Sequence, residues 1–210
     1  MADIPNYERT FAGRPDAYAA WRALAAAISG GMDHRTYEIA TVAAARALRS
    51  TYCSLAHGEV LLERYADRDG LRALLAAADG VGVKADVRRT ERTTGPDGTE
   101  ADGSTSFATA STSPMVTPDA KALVADRDAA IAAFAARVAR DAPHIDDTER
   151  EALRAHGLSD ADIFDVILAV AARCFFSTVL DATGTRADAA YRERLPADLV
   201  TELTCGREPL

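Results

Sequence analysis

The sequence predicts an all-α protein, and three observations predict it. Alanine dominates the apolar residues, and alanine has the best helix propensity of any side chain. Apolar residues recur at helical spacing over most of the chain, as in Ile39, Val42, Ala43 and Leu48. Capping and stop residues punctuate those segments. With 210 residues, 48% of them hydrophobic, the chain is long enough for one helical core, and we expect a single domain over residues 1–210.

The elements follow in order. Asp16 to Ile28 reads as a first helix, stopped by Ser29-Gly30-Gly31. Asp33 is the expected N-cap of a second helix that runs past Leu48, where Ser50-Thr51 interrupts it and caps a third, Thr51 to Tyr65. Gly70 precedes a short helix, Leu71 to Ala78. Residues 80–118 hold Gly95-Pro96-Asp97-Gly98, Asp102-Gly103 and a Ser/Thr run with few large apolar residues, and are expected to form a long surface loop or flexible insertion.

Helical spacing resumes over 119–140 and stops near Pro143. Asp147 to His156 is a shorter helix ended by Gly157. Ser159 with Asp162 completes a capping box ahead of the most apolar helix, Ile163 to Leu180, which Gly184 ends. Arg186 to Arg194 reads as a last short helix, with Pro196 beyond and a mobile C-terminus after it. Ala44-Ala45-Arg46 and Ser50-Thr51 reappear as Ala171-Ala172-Arg173 and Ser177-Thr178, so the fold has either two weakly related helical halves or a chance echo in alanine-rich sequence.

Charge and composition exclude several functions. The formal net charge is -8, and a chain this acidic is repelled by phosphate backbones and anionic lipid; Arg88-Arg89 is too small a basic patch to reverse that, so neither nucleic acid nor a membrane is expected as a partner. Met1 to Arg9 lacks an apolar leader core and the longest apolar run, Val166 to Ala172, is too short to span a bilayer, which predicts a cytoplasmic protein. The sequence carries no Rossmann glycine pattern or phosphate loop, and His34, His144 and His156 show no metal-ligand spacing, so no cofactor and no metal are expected. Three cysteines, Cys53, Cys174 and Cys205, are an odd number and do not form a disulfide scaffold.

Chemistry concentrates in one segment. Cys53 and His57 are four apart and share a helix face, with Ser50 one turn before Cys53. A cysteine in the first turn of a helix meets free N–H groups and the positive end of the dipole, which favour a thiolate, and an adjacent imidazole can take the thiol proton. Glu38 lies fifteen residues before Cys53, ~22 Å away along one straight helix. The two meet only if the chain folds back near Arg49-Ser50. The alternative is a small buried cysteine in an alanine-rich helix and a structural histidine.

The run from Glu38 to His57 resembles the carboxymuconolactone decarboxylase / alkylhydroperoxidase D superfamily, whose pattern is a Glu, eleven residues, then Cys-x-x-Cys-x-x-x-His. Glu38, Cys53 and His57 stand in register with the Glu, the second Cys and the His. Gly157 to Phe176 and Leu180 to Gly184 are similar to peroxidase-related members. The resemblance implies an alkylhydroperoxidase D-like helical fold, a homo-oligomer, a peroxidatic Cys53, and a proton relay through Glu38 and His57. Tyr52 replaces the family's additional histidine, and Ser50 replaces the first, resolving cysteine. Serine forms no disulfide, so the implied activity is reduction of a small hydroperoxide by one cysteine, regenerated by an external thiol reductant, with Cys205 a weak resolving candidate and Cys174 a structural one. The competing readings are a non-redox, decarboxylase-like proton-transfer enzyme using His57 and Glu38, and a helical oligomer without catalysis.

Overall fold

A computed structural model describes residues 4–80 and 118–210, and every described element is helical. The expected loop at 80–118 falls almost wholly outside the described residues; its flanks are Gly80, which ends a helix, and Pro118, which opens one. The helices are α1 (Asn6–Thr10), α2 (Pro15–Gly31), α3 (His34–Ala47), α4 (Thr51–Arg64), α5 (Arg68–Asp79), α6 (Pro118–Asp141), α7 (Asp147–Ala155), α8 (Asp160–Ala182), α9 (Ala190–Arg194) and α10 (Ala197–Leu203), with a 3-10 turn at Ala142–His144 after α6.

α3 is the central element. Its residues from Thr36 to Ala45 are all buried, because α4, α5, α6 and α8 surround it. Ala40, Ala43, Ala44 and Ala45 have no exposed surface, and a helix lined with methyl groups lets its neighbours approach closely. α8 packs on α2, α3 and α6 and buries Val166, Ala169 and Val170. By length and composition α8 could cross a bilayer despite Asp165 and Arg173, but half of its apolar window is buried inside this fold, as in a core helix.

The caps explain where most helices begin. Asp33 accepts from Thr36 N at 2.8 Å, and Ser159 and Asp162 form the expected capping box. A second capping box, Asp146 with Glu149, opens α7.

Several boundaries differ from the sequence reading. α2 continues through Ser29-Gly30-Gly31, since glycine weakens a helix without forbidding it; the stop is Met32, which turns extended ahead of the Asp33 cap. α5 begins at Arg68 because Asp67 caps it by accepting from Gly70 N, which places Gly70 inside the first turn. Residues 186–189 are not helical. Asn6 occupies them instead, its N–H donating to Asp188 and its side-chain amide to the Arg186 carbonyl. α1 and α10 are too short to leave a periodic trace in sequence. The echo between 44–51 and 171–178 has no counterpart in backbone: α3 and α4 break there, while α8 runs unbroken.

The C-terminus is tied down, contrary to expectation. Arg186 donates to the Glu208 and Pro209 carbonyls, and Leu210 N to the Ala187 carbonyl. Gly206 N donates to Thr51 Oγ1 at 2.9 Å, and a Cβ at Gly206 would stand 1.9 Å from the Arg49 carbonyl oxygen. Only a residue without a side chain fits there. Gly206→Ala should cost about 1–3 kcal/mol, read as a lowered thermal midpoint; an unchanged midpoint would show that the tail contributes nothing to stability.

Candidate functional site

The site begins with a chain reversal. α3 ends at Ala47, Leu48 caps it, and Arg49 takes a left-handed conformation with φ of 59°, a strained choice for a residue with a Cβ. α4 then runs back along α3. Residues far apart in a single helix therefore face each other across a helical hairpin.

Across that hairpin His57 Nδ1 lies 2.6 Å from Glu38 Oε2, and Glu38 is buried at 4% exposure. His34 approaches the other carboxylate oxygen, its Nε2 3.5 Å from Oε1, and its Nδ1 lies 2.9 Å from the Tyr65 hydroxyl. The sequence reading left His34 without a role. The available signal was its position four residues before Glu38, which puts both on one face of α3. Burial, and after it the nearby Arg173 cation, push the His57 imidazole below its ordinary value, while the hydrogen bond to Glu38 pulls the other way.

Cys53 sits in the first turn of α4 at 1% exposure. Arg173, buried on α8, donates from Nη1 to its Sγ at 3.5 Å. Arg173 is the residue that sequence reasoning missed. It lies 120 positions from Cys53, and an arginine inside an apolar helix was the one clue. Its guanidinium carbon also lies over the Phe176 and Trp21 rings, 5.5 and 6.0 Å from their centroids.

Tyr52 lines the same cavity as Cys53, but its hydroxyl is engaged with another element. Its hydroxyl donates to Asp188, and burial, then that bond, push its pKa far above the ordinary phenol range. Tyr52 thus locks α4 to the segment before α9. Ser50 occupies the N-cap position of α4, but its side chain caps no N–H, and its buried hydroxyl has no hydrogen-bond partner among the described residues. Cys174 is half-buried against the core, and burial raises its thiol. Burial likewise raises Cys205, with the Arg46 cation opposing.

Cys53, His57 and Arg173 line a cavity of about 360 Å³ together with Trp21, Tyr37 and Tyr191. A second, apolar groove of about 500 Å³ runs between α2 and α8, bordered by the exposed Leu24 and Phe175. Trp21 lines both and donates Nε1–H to the Ala172 carbonyl at 3.3 Å. Among the described residues no group of three His, Cys, Asp or Glu side chains is placed to hold a metal.

Residues 15–86 match the carboxymuconolactone decarboxylase family, a segment that covers α2 to α5 with Glu38, Cys53 and His57. The whole fold is similar to two solved structures. One is the alkylhydroperoxidase AhpD core of an uncharacterized peroxidase-related protein from Ralstonia eutropha JMP134, at 24% identity and a TM-score of 0.58, covering 93% of this chain and 84% of that one. The other is an uncharacterized peroxidase-related protein from Silicibacter sp. TM1040, at 19% identity and a TM-score of 0.61, covering 91% and 80%. The family match is thus to one segment of the chain, and the likeness to the two structures is one of fold. No curated protein matches the chain significantly. The two solved structures share their helical fold with this chain, while the family match is confined to the segment that holds the Glu38–His57 hairpin.

The electrostatics of the hairpin set a titration. A His pKa lowered on folding leaves the imidazole neutral at pH 7, and the stability it contributes is complete above the ordinary value of about 6.5 and lost as pH falls through the lowered one. An NMR titration of the His57 ring should therefore give a midpoint below 6.5. A midpoint above 7 would mean that Glu38, rather than burial and Arg173, governs the ring.

Proposed function

We propose that the chain is a thiol-dependent hydroperoxide reductase with one peroxidatic cysteine, Cys53. The observation that carries this reading is the Arg173 guanidinium donating to Cys53 Sγ at the wall of a cavity that His57 also lines. A buried cation beside sulfur is a counter-charge for a thiolate as it forms. With Glu38 as acceptor, the His57 Nδ1 carries the proton and Nε2 offers its lone pair to the thiol.

The reaction balances with these groups. His57 takes the Cys53 proton, and the thiolate attacks the terminal peroxide oxygen. The S–O bond forms as O–O breaks, the sulfur is oxidised to a sulfenic acid, and the leaving alkoxide takes the proton from His57 to depart as the alcohol. Ser50 has no sulfur to close a disulfide on Cys53. An external thiol condenses with the sulfenic acid, releasing water, and a second thiol frees Cys53 as an external disulfide forms. The exposed apolar side chains Leu24, Phe164 and Phe175 on α2 and α8 support assembly into a homo-oligomer.

A second reading is a proton-transfer enzyme of the decarboxylase kind. It is favoured by the intact Glu38–His57 pair, by the absence of a sulfur at position 50, and by Arg22 and Arg173 on the cavity wall, which suit a carboxylate substrate.

Peroxide turnover with dithiothreitol as reductant separates the two. Cys53→Ser should abolish it, His57→Ala should lower it by roughly 10²–10⁴-fold, and Arg173→Met should lower it while leaving a measurable rate. Wild-type protein that consumes no peroxide, with lactone or carboxylate turnover that survives Cys53→Ser but not His57→Ala, would select the second reading. A protein inert to both substrate classes would be a helical oligomer without catalysis.

A further inference from the structure

We propose that His34 is a positioning residue for the Glu38–His57 pair: its Nε2–H holds one carboxylate oxygen of Glu38 so that the other faces His57. The proposal rests on the reading of Glu38 and His57 as the proton-handling pair, and it applies to either chemistry that the pair serves.

The first observation is the carboxylate. Glu38 is at 4% exposure, with His57 Nδ1 2.6 Å from Oε2 and His34 Nε2 3.5 Å from Oε1. Among the described residues no other side chain reaches that carboxylate. A buried carboxylate with one bare oxygen is costly, and its head group turns to share whatever donors remain. A donor on Oε1 removes the reason to turn, so Oε2 keeps its lone pair on the His57 N–H.

The second observation is the orientation of His34 itself. Its Nδ1 lies 2.9 Å from the Tyr65 hydroxyl. A neutral imidazole carries one N–H. With the phenol donating to Nδ1, that N–H sits on Nε2 and points at Glu38; the other tautomer would aim a lone pair at a carboxylate. A protonated ring carries N–H on both nitrogens. Nε2 is therefore a donor in either charge state, and Tyr65 sets the tautomer.

The third observation is what fixes Tyr65. Its carbonyl accepts from Arg35 Nη1 at 2.9 Å, and Arg35 Nε donates to Asp128 Oδ2 at 2.9 Å. Asp128, on α6, is at 2% exposure, and the proposed reaction has no use for it. A polar line thus runs from Asp128 through Arg35, Tyr65 and His34 to Glu38, and ends at His57 on the cavity wall. His34, Tyr65, Arg35 and Asp128 all lie outside the cavity lining, so a change at His34 leaves the cavity walls intact.

The test compares two variants of the full-length protein. His34→Gln places an amide N–H near the position of Nε2 without a titratable ring. His34→Leu keeps the bulk and removes the donor. The first readout is the proton resonance of His57 Nδ1–H, which a short bond to a carboxylate moves far downfield. The resonance should persist in His34→Gln and move upfield or broaden away in His34→Leu. The second readout is Cys53 alkylation at neutral pH, which should fall about two- to tenfold in His34→Leu, the worth of one net hydrogen bond, and be largely restored in His34→Gln. A resonance unmoved in both variants overturns the proposal and leaves His34 only a distant charge on His57. A resonance lost in both also overturns it, because the ring rather than its N–H would then be what Glu38 requires. If the resonance behaves as expected while Cys53 alkylation ignores both His34→Leu and His57→Ala, the positioning role stands and the peroxidase reading falls.

Discussion

The site depends on the reversal at Arg49. Glu38 and His57 are nineteen residues apart, and one continuous helix would hold them ~28 Å from each other. A left-handed residue between α3 and α4 folds the second helix onto the first and brings the carboxylate to 2.6 Å from the imidazole. The strain of φ 59° at a residue with a Cβ is offset by what it positions: the Ser50 N–H to Ala45 carbonyl bond, the Gly206 backbone laid against the Arg49 carbonyl, and the buried α3–α4 seam. The chain terminus thus braces the turn that builds the site.

Around that hairpin the protein buries several charged side chains. Glu38, Asp128 and Arg173 are each at or below 4% exposure. Asp128 is paired with Arg35, and Glu38 with His57 and His34. Arg173 differs, because its hydrogen bond goes to a thiol, its guanidinium lies over the Trp21 and Phe176 rings, and its buried Nε has no hydrogen-bond partner among the described residues. A buried guanidinium held by a weak acceptor and by cation–π contacts is costly to desolvate, and it becomes well paired only when that sulfur is ionised. In the proposed reaction the Cys53 thiolate is the other half of that ion pair.

Much of this was legible in sequence, for physical reasons. Side-chain capping and alanine-rich periodicity are local, and they located Asp33, the Ser159–Asp162 box and α8 well. The spacing of Glu38, Cys53 and His57 is also local once the interruption at Ser50-Thr51 is seen. What was illegible is carried by contacts between distant segments. Arg173 reaches Cys53 from α8, Asp188 fixes Tyr52, and Gly206 seals the turn at Arg49. The sequence alone offered Tyr52 as a substitute in the site, whereas its hydroxyl bond turns it into a strut between α4 and the loop before α9. His34 fell between the two cases: its i,i+4 relation to Glu38 was visible, but the value of that relation depends on Glu38 being buried.

The central claim is that Arg173 and the Glu38–His57 pair make Cys53, and neither of the other cysteines, the sulfur that reacts. The most direct measurement treats the native protein with one equivalent of organic hydroperoxide in the presence of dimedone, which traps sulfenic acids, and maps the adduct by peptide mass. The account predicts the adduct on Cys53, reduced in Arg173→Met and lost in Cys53→Ser. An adduct confined to Cys174 or Cys205, or none at all, would contradict it.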